Sequence, residues 1–219
     1  MNNTPTTTIF ETLRNLFVSC AGSASHFPPT LLYNEGWMLR LVLHWFSMNP
    51  VIDHPLAFPS DSFWFSEALL PSPFLPRYRG DPLSEARTHA DGVIGQVIIG
   101  KQGKVDLEIQ PKANHFVVCE AKLSSKLSKY VKHAPFYDQA SRNVACMAEV
   151  IRRQNASQSQ FCELGFYVLS PKVQIDAGIF TRELEKTNIF EMVTKRTRQY
   201  NGERDEWFAE CFVPFLQKI

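Results

Sequence analysis

Glu120 and Lys122 stand two positions apart in Glu120-Ala121-Lys122, inside an otherwise apolar run from Phe116 to Leu123. On an extended strand, residues i and i+2 project to the same face, so the two charges point together into whatever packs there. Ionised groups in such surroundings are costly unless they are paired or bind an ion. A second acid, Asp91, opens the preceding strand-like run Val93 to Ile99. Asp91 and Glu120 together make a hard, oxygen-rich site suited to Mg²⁺ or Mn²⁺, to which the backbone carbonyl of Ala121 can add a ligand. The Lys122 ammonium would then be close enough to act on a bound water or a phosphate. The competing interpretation is a buried ion pair of Lys122 with Glu120 or Asp91 and no catalysis.

Glu35 is a further candidate. Its helical neighbours at i+3, i+4 and i+7 are Met38, Leu39 and Val42, so a carboxylate sits on an apolar stripe where a cation or ligand would meet it. The alternative is an exposed first-turn glutamate favoured by the helix dipole. Gln139, Arg142 and Asn143 share one face of a later helix. Directly after the acid-lysine pair, Lys126, Lys129, Lys132 and His133 form a basic segment without acids. They are spaced to track phosphates, as are Arg77 and Arg79 in a proline-rich loop. Two tempting motifs are set aside. Gly95-x4-Gly100-Lys101 lacks the Ser or Thr of a phosphate-binding loop and runs through a strand. Arg79-Gly80-Asp81 has no adhesive context in a cytosolic protein.

The elements that must position these groups follow from periodicity. A short amphipathic helix is read at Ile9 to Val18, and a longer one from Pro28-Pro29-Thr30 to Met48, apolar nearly all round and therefore central. Seven of the fourteen prolines lie between Pro50 and Pro82, leaving room for one short helix, Asp61 to Leu70. Three strands then follow as an antiparallel meander, at Val93 to Ile99, Lys104 to Gln110 and Phe116 to Leu123. A helix runs from Pro135 to Gln154, a fourth strand from Cys162 to Leu169, and two more helices cover Gly178 to Tyr200 and Glu203 to Gln217. The expected fold is α/β, a central mixed sheet flanked by helices in the order αβββαβ, with extra helices at both termini.

The chain has 219 residues, 44% hydrophobic and 12% aromatic, which suits one globular domain and excludes a disordered chain. Its net charge of +1 excludes histone-like electrostatics while leaving room for a local basic patch. Five scattered cysteines, without CxxC, fit neither a disulfide framework nor a closed zinc site, and imply reduced thiols in a cytosolic protein. No apolar stretch is long enough to suggest a membrane span or an export signal.

Ala90-Asp91-Gly92, Cys119-Glu120-Ala121-Lys122 and the element order around them resemble the PD-(D/E)XK nuclease superfamily, over roughly residues 29 to 171. The resemblance implies that Asp91 and Glu120 are metal-binding carboxylates, that Lys122 is the catalytic lysine, and that Glu35 is the extra acid some branches place beside the metal. It further implies that Gln139 is the helix glutamine of RecB-like members. The chain departs from the pattern in having Ala90 in place of Pro, 28 residues between Asp91 and Glu120, and Asn143 where the RecB-like spacing carries Tyr. The expected activity is Mg²⁺-dependent phosphodiester hydrolysis, on DNA before RNA, with a homodimer left open. The alternative is a catalytically silent nuclease-like fold that binds nucleic acid or serves assembly.

Overall fold

The computed structural model describes residues 34–50, 53–59, 61–85, 87–100, 106–131 and 134–219, together with Glu11, Arg14 and Val18. Those three are helical and exposed, while Ile9, Leu13, Leu16 and Phe17 of the expected first helix lie outside the described residues. Helix α1 (Glu35–Met48) starts where the Asn34 side chain accepts the Trp37 N–H at 2.9 Å, an N-cap that satisfies one of the helix's unpaired donors. It buries Leu39, Leu43 and Phe46, whereas Trp37, Leu41, Trp45 and Met48 are exposed. The helix expected to be central thus covers the sheet with one face only.

Strands β1 (Phe63–Leu70), β2 (Thr88–Gly95), β5 (His115–Ala121) and β8 (Glu163–Leu169) form the central sheet in that spatial order. The first three are antiparallel neighbours, and β8 runs parallel to β5, so the fold is α/β with a mixed sheet. β1 overturns the helix expected at Asp61 to Leu70. Glu67 to Leu70 favour helix, but Phe63, Trp64 and Phe65 favour a strand, and pairing along β2 from Phe63↔Gly95 to Leu70↔Thr88 decides the outcome.

The meander is therefore β1-β2-β5, and the expected middle strand is not part of it. Instead β3 (Val97–Ile99) and β4 (Leu107–Ile109) pair with each other in a separate two-stranded sheet. The chain leaves the sheet at Gly95, where a Cβ would lie 2.2 Å from the His115 carbonyl oxygen, so only glycine fits. Gln96 holds the exit closed, its Oε1 accepting the N–H groups of Asn114 at 2.8 Å and His115 at 3.1 Å.

A further pair, β6 (Lys129–Val131) and β7 (Ala134–Asp138), takes up the residues expected to begin the next helix. Helix α2 (Gln139–Arg153) starts only after Asp138, which caps it by accepting the Ser141 N–H at 2.7 Å. Short helices α3 (Lys172–Asp176) and α4 (Thr181–Leu184) lead into α5 (Lys186–Arg198), so the expected Gly178 to Tyr200 helix is interrupted at Glu185. The C-terminal helix begins as α6 (Asp205–Trp207), passes through a π-helical segment at Phe208–Phe212 and ends as α7 (Val213–Lys218). Ile189, Met192, Val193, Phe212 and Phe215 join Val144, Met147 and Ile151 of α2 in one core cluster, so α2 is sandwiched between sheet and C-terminal helices. Among the described residues, no helix is long and apolar enough to cross a membrane.

Candidate active site

The two faces of the sheet sort the candidate residues. Ile94, Val117, Cys119 and Ala121 pack with α1, and Val93, Phe116 and Val118 with α2. Alternation then places Asp91, two before Val93, and Glu120, two after Val118, on the α2 face. Helix α1 lies tight on the other face, since a Cβ on Gly92 would come within 2.9 Å of Leu39 and Leu43 side-chain carbons.

The β2–β5 ladder ends at Gly92↔Cys119. One step further, the Asp91 side chain takes the place of a backbone partner, its Oδ2 accepting the Ala121 N–H at 2.9 Å. Glu120, 1% exposed, lies beside Asp91. Lys122 extends from the end of β5 and sets its Nζ 2.7 Å from Glu120 Oε1. The Gln139 amide donates to that same Oε1, and Asn143 Nδ2 lies 3.4 Å from Oε2. Burial and, next, the neighbouring Asp91 charge push the Glu120 carboxyl up to about 8, against the pull of Lys122. The same surroundings raise the buried Cys119 thiol far above its ordinary range, chiefly through desolvation.

Asp91, Glu120, Lys122 and Gln139 therefore meet in one place, as the sequence implied. Glu35 does not meet the two acids directly. It starts α1 on the opposite face of the sheet and reaches around the end of β5, where its Oε1 accepts the Leu123 N–H at 3.0 Å and the Ser125 hydroxyl at 2.9 Å. Its other oxygen is 3.9 Å from Lys122 Nζ, so Glu35 touches the cluster through the lysine. Among the described residues, no group of three or more His, Cys, Asp and Glu is placed to hold a metal ion. Two carboxylates on adjacent strands, one buried against its own repulsion, nonetheless fit a hard divalent cation.

The basic residues divide. Arg77, expected to track phosphates, is instead engaged within the fold: its guanidinium is held by Asp81 at 2.8 Å and Glu203 at 2.7 Å and packs over Tyr200. That pairing buries Asp81, which also removes the carboxylate of the Arg79-Gly80-Asp81 triplet from solvent, while Arg79 is exposed. Lys126 is exposed on a loop and Lys129 lies in β6; Lys132 and His133 lie outside the described residues. Arg142 stands 3.5 Å from Glu85, a carboxylate already bonded at 2.8 Å to the fully buried Arg196. Two arginines share one acid there. Arg142 also lines a cleft of about 320 Å³ with Arg87, His89, Ser128 and Gln139, adjoining the acid cluster.

Sequence reasoning missed three contributors: the contact of Asn143 with Glu120, the anchoring of Glu35 by Ser125 and the Leu123 amide, and the Glu85–Arg196 pair beneath Arg142. The i, i+4 spacing of Gln139 and Asn143 is the signal that could have found the first. Comparison with protein-family models, curated proteins and solved structures finds no match to this chain.

Proposed function

We propose that the chain is a divalent-metal-dependent nuclease of the PD-(D/E)XK type, hydrolysing phosphodiester bonds in DNA. The observation that supports this reading is the second acid. A structural ion pair for Lys122 needs Glu120 alone, yet Asp91 abuts Glu120 and makes its burial costlier. A cluster with more acids than bases, placed where two strands part beside an arginine-lined cleft, suits a cation and a phosphate.

Asp91 and Glu120 would hold Mg²⁺ or Mn²⁺, with the Ala121 carbonyl as a further oxygen. The bound ion would supply an activated water and stabilise the charge developing on the scissile phosphate. Gln139 fixes the orientation of Glu120, and Glu35 that of Lys122. Lys122 orients or deprotonates the water or neutralises the phosphate. Arg142 would take a flanking phosphate in the cleft, with Lys126 and Lys129 further along the strand. The free cysteines Cys119, Cys146, Cys162 and Cys211 fit a reducing cytosol.

The second reading, a nuclease-like fold that binds nucleic acid without cutting it, is favoured by one contact: Lys122 occupies Glu120 at 2.7 Å. Incubation with linear, supercoiled and branched DNA and with RNA, each with Mg²⁺, Mn²⁺ or EDTA, separates the two. Metal-dependent cleavage that disappears in Asp91→Ala and Glu120→Ala supports the nuclease. Binding without cleavage under every condition supports the silent module.

A further inference from the structure

Asn143 is fully buried one helical turn after Gln139 on α2. Its Nδ2 reaches Glu120 Oε2, but its Oδ1 has no hydrogen-bond partner. A buried acceptor left without a donor is costly, and an apolar side chain in its place would avoid that cost. The neighbours Val144, Cys146 and Met147 are fully buried apolar residues, so packing alone does not call for an amide. The orphan oxygen belongs to the same planar group whose nitrogen touches Glu120, and so lies within an amide's width of that carboxylate. A half-turn about χ2 exchanges the two atoms.

The cluster meanwhile lacks a third ligand side chain. Glu35 is tied to the Leu123 amide and Ser125 around the far end of the sheet, which leaves Asp91 and Glu120 as the acids in contact. A further carboxylate there would deepen the repulsion between them, whereas an amide carbonyl brings an oxygen of the kind hard divalent cations accept and carries no charge.

We propose that Asn143 is a cation ligand, its Oδ1 supplying the neutral third oxygen beside Asp91 and Glu120. This rests on the cation reading of those two acids. It assigns Asn143 a role of its own at the position where the resemblance leads one to look for a tyrosine.

The test is Mn²⁺ binding at pH 8, by calorimetry and by the paramagnetic resonance signal of free Mn²⁺, on the full chain as wild type, Asn143→Leu, Asn143→Asp and Asp91→Asn. Circular-dichroism melting checks that each is folded. Asn143→Leu is expected to weaken Mn²⁺ binding about ten-fold or more. Asn143→Asp, which keeps the oxygen and adds charge, should bind at least as tightly as wild type. Asp91→Asn should lose binding. If Asn143→Leu stays within two-fold of wild type while Asp91→Asn loses binding, Asn143 is only a brace for Glu120 and the inference is overturned. Should Asn143→Leu fail to fold, a folded Asn143→Asp that binds more weakly than wild type overturns it equally. Absence of saturable binding by the wild type, with Asp91→Asn indistinguishable from it, instead overturns the cation reading and takes this inference with it.

Discussion

Replacing Glu120 by Gln separates a structural ion pair from a cation site, because the amide reproduces the shape of the protonated carboxyl and cannot ionise. The folded protein holds this carboxyl at about 8, against 4.5 in an unfolded chain. A group whose folded value is raised gives stability that is fully present below its unfolded value and is lost as pH rises through the folded one. In the wild type, that contribution should therefore decline between pH 4.5 and 8 and be flat beyond. Glu120→Gln has no such dependence. Each pH unit corresponds to about 1.4 kcal/mol, so the variant should match wild type near pH 4.5, exceed it by about 3 kcal/mol at pH 7 and level off near 5 kcal/mol above pH 8. For a chain of this size, 1 kcal/mol moves the melting temperature by about 2–4 °C, which makes the difference at pH 7 roughly 10 °C. Thermal melts in EDTA from pH 5 to 9 measure it directly. A Glu120→Gln protein less stable than wild type at pH 8, or a difference independent of pH, would show that Lys122 holds Glu120 ionised and would refute the argument. Added Mn²⁺ should raise the wild-type melting temperature and leave that of the variant almost unmoved, since only a ligand that binds the folded state stabilises it.

Glu35→Ala should cost about 1–2 kcal/mol in urea unfolding by stranding the Leu123 N–H and the Ser125 hydroxyl, whereas Glu35→Gln keeps an acceptor and costs less. Both should leave Mn²⁺ affinity within about two-fold, and a ten-fold loss in Glu35→Gln would return that acid to the cation shell. Lys122→Met should lower turnover by about 10²-fold or more while Mn²⁺ titrates as in wild type, because its role is exercised in the transition state; a loss confined to substrate affinity would make it a phosphate clamp. Arg77→Ala should lower the urea midpoint by stranding the Asp81 carboxylate and leave nucleic-acid affinity unchanged. Arg142→Ala should weaken that affinity and reduce its salt slope by about one, and identical salt slopes in filter binding would remove Arg142 from the interface.

The acids and lysine were legible because a charged i, i+2 pair in an apolar strand is anomalous under any packing. So was α2, whose apolar stripe at Val144, Met147 and Ile151 survives in the core. The identity of the strands was not. Three runs with strand periodicity stand between Asp91 and Leu123, and nothing local says that the middle one leaves the sheet. That follows from β1 taking the far side of β2, a pairing between segments some 25 residues apart whose own sequence contains a strong helical signal. Glu35 illustrates a related limit. Helix periodicity correctly placed it near the apolar stripe of Met38 and Leu39, but which face of the sheet the helix covers is a tertiary fact, and it turned a direct ligand into a neighbour of Lys122. Arg77 and Asp81, likewise, differ from a solvated basic loop only through Glu203 and Tyr200, contributed from more than a hundred residues away.

The small β3–β4 hairpin bears on how two carboxylates so far apart along the chain come to lie side by side. Gly95, Gln96, Asn114 and His115 close its base, with Asp61 accepting the Gln96 amide at 2.8 Å, while Val97, Leu107 and Ile109 are buried in the main core. The 28 residues between Asp91 and Glu120 are thus not slack: they carry a second sheet that fills part of the core, and the chain returns in register at Gly92↔Cys119 to set the two carboxylates side by side.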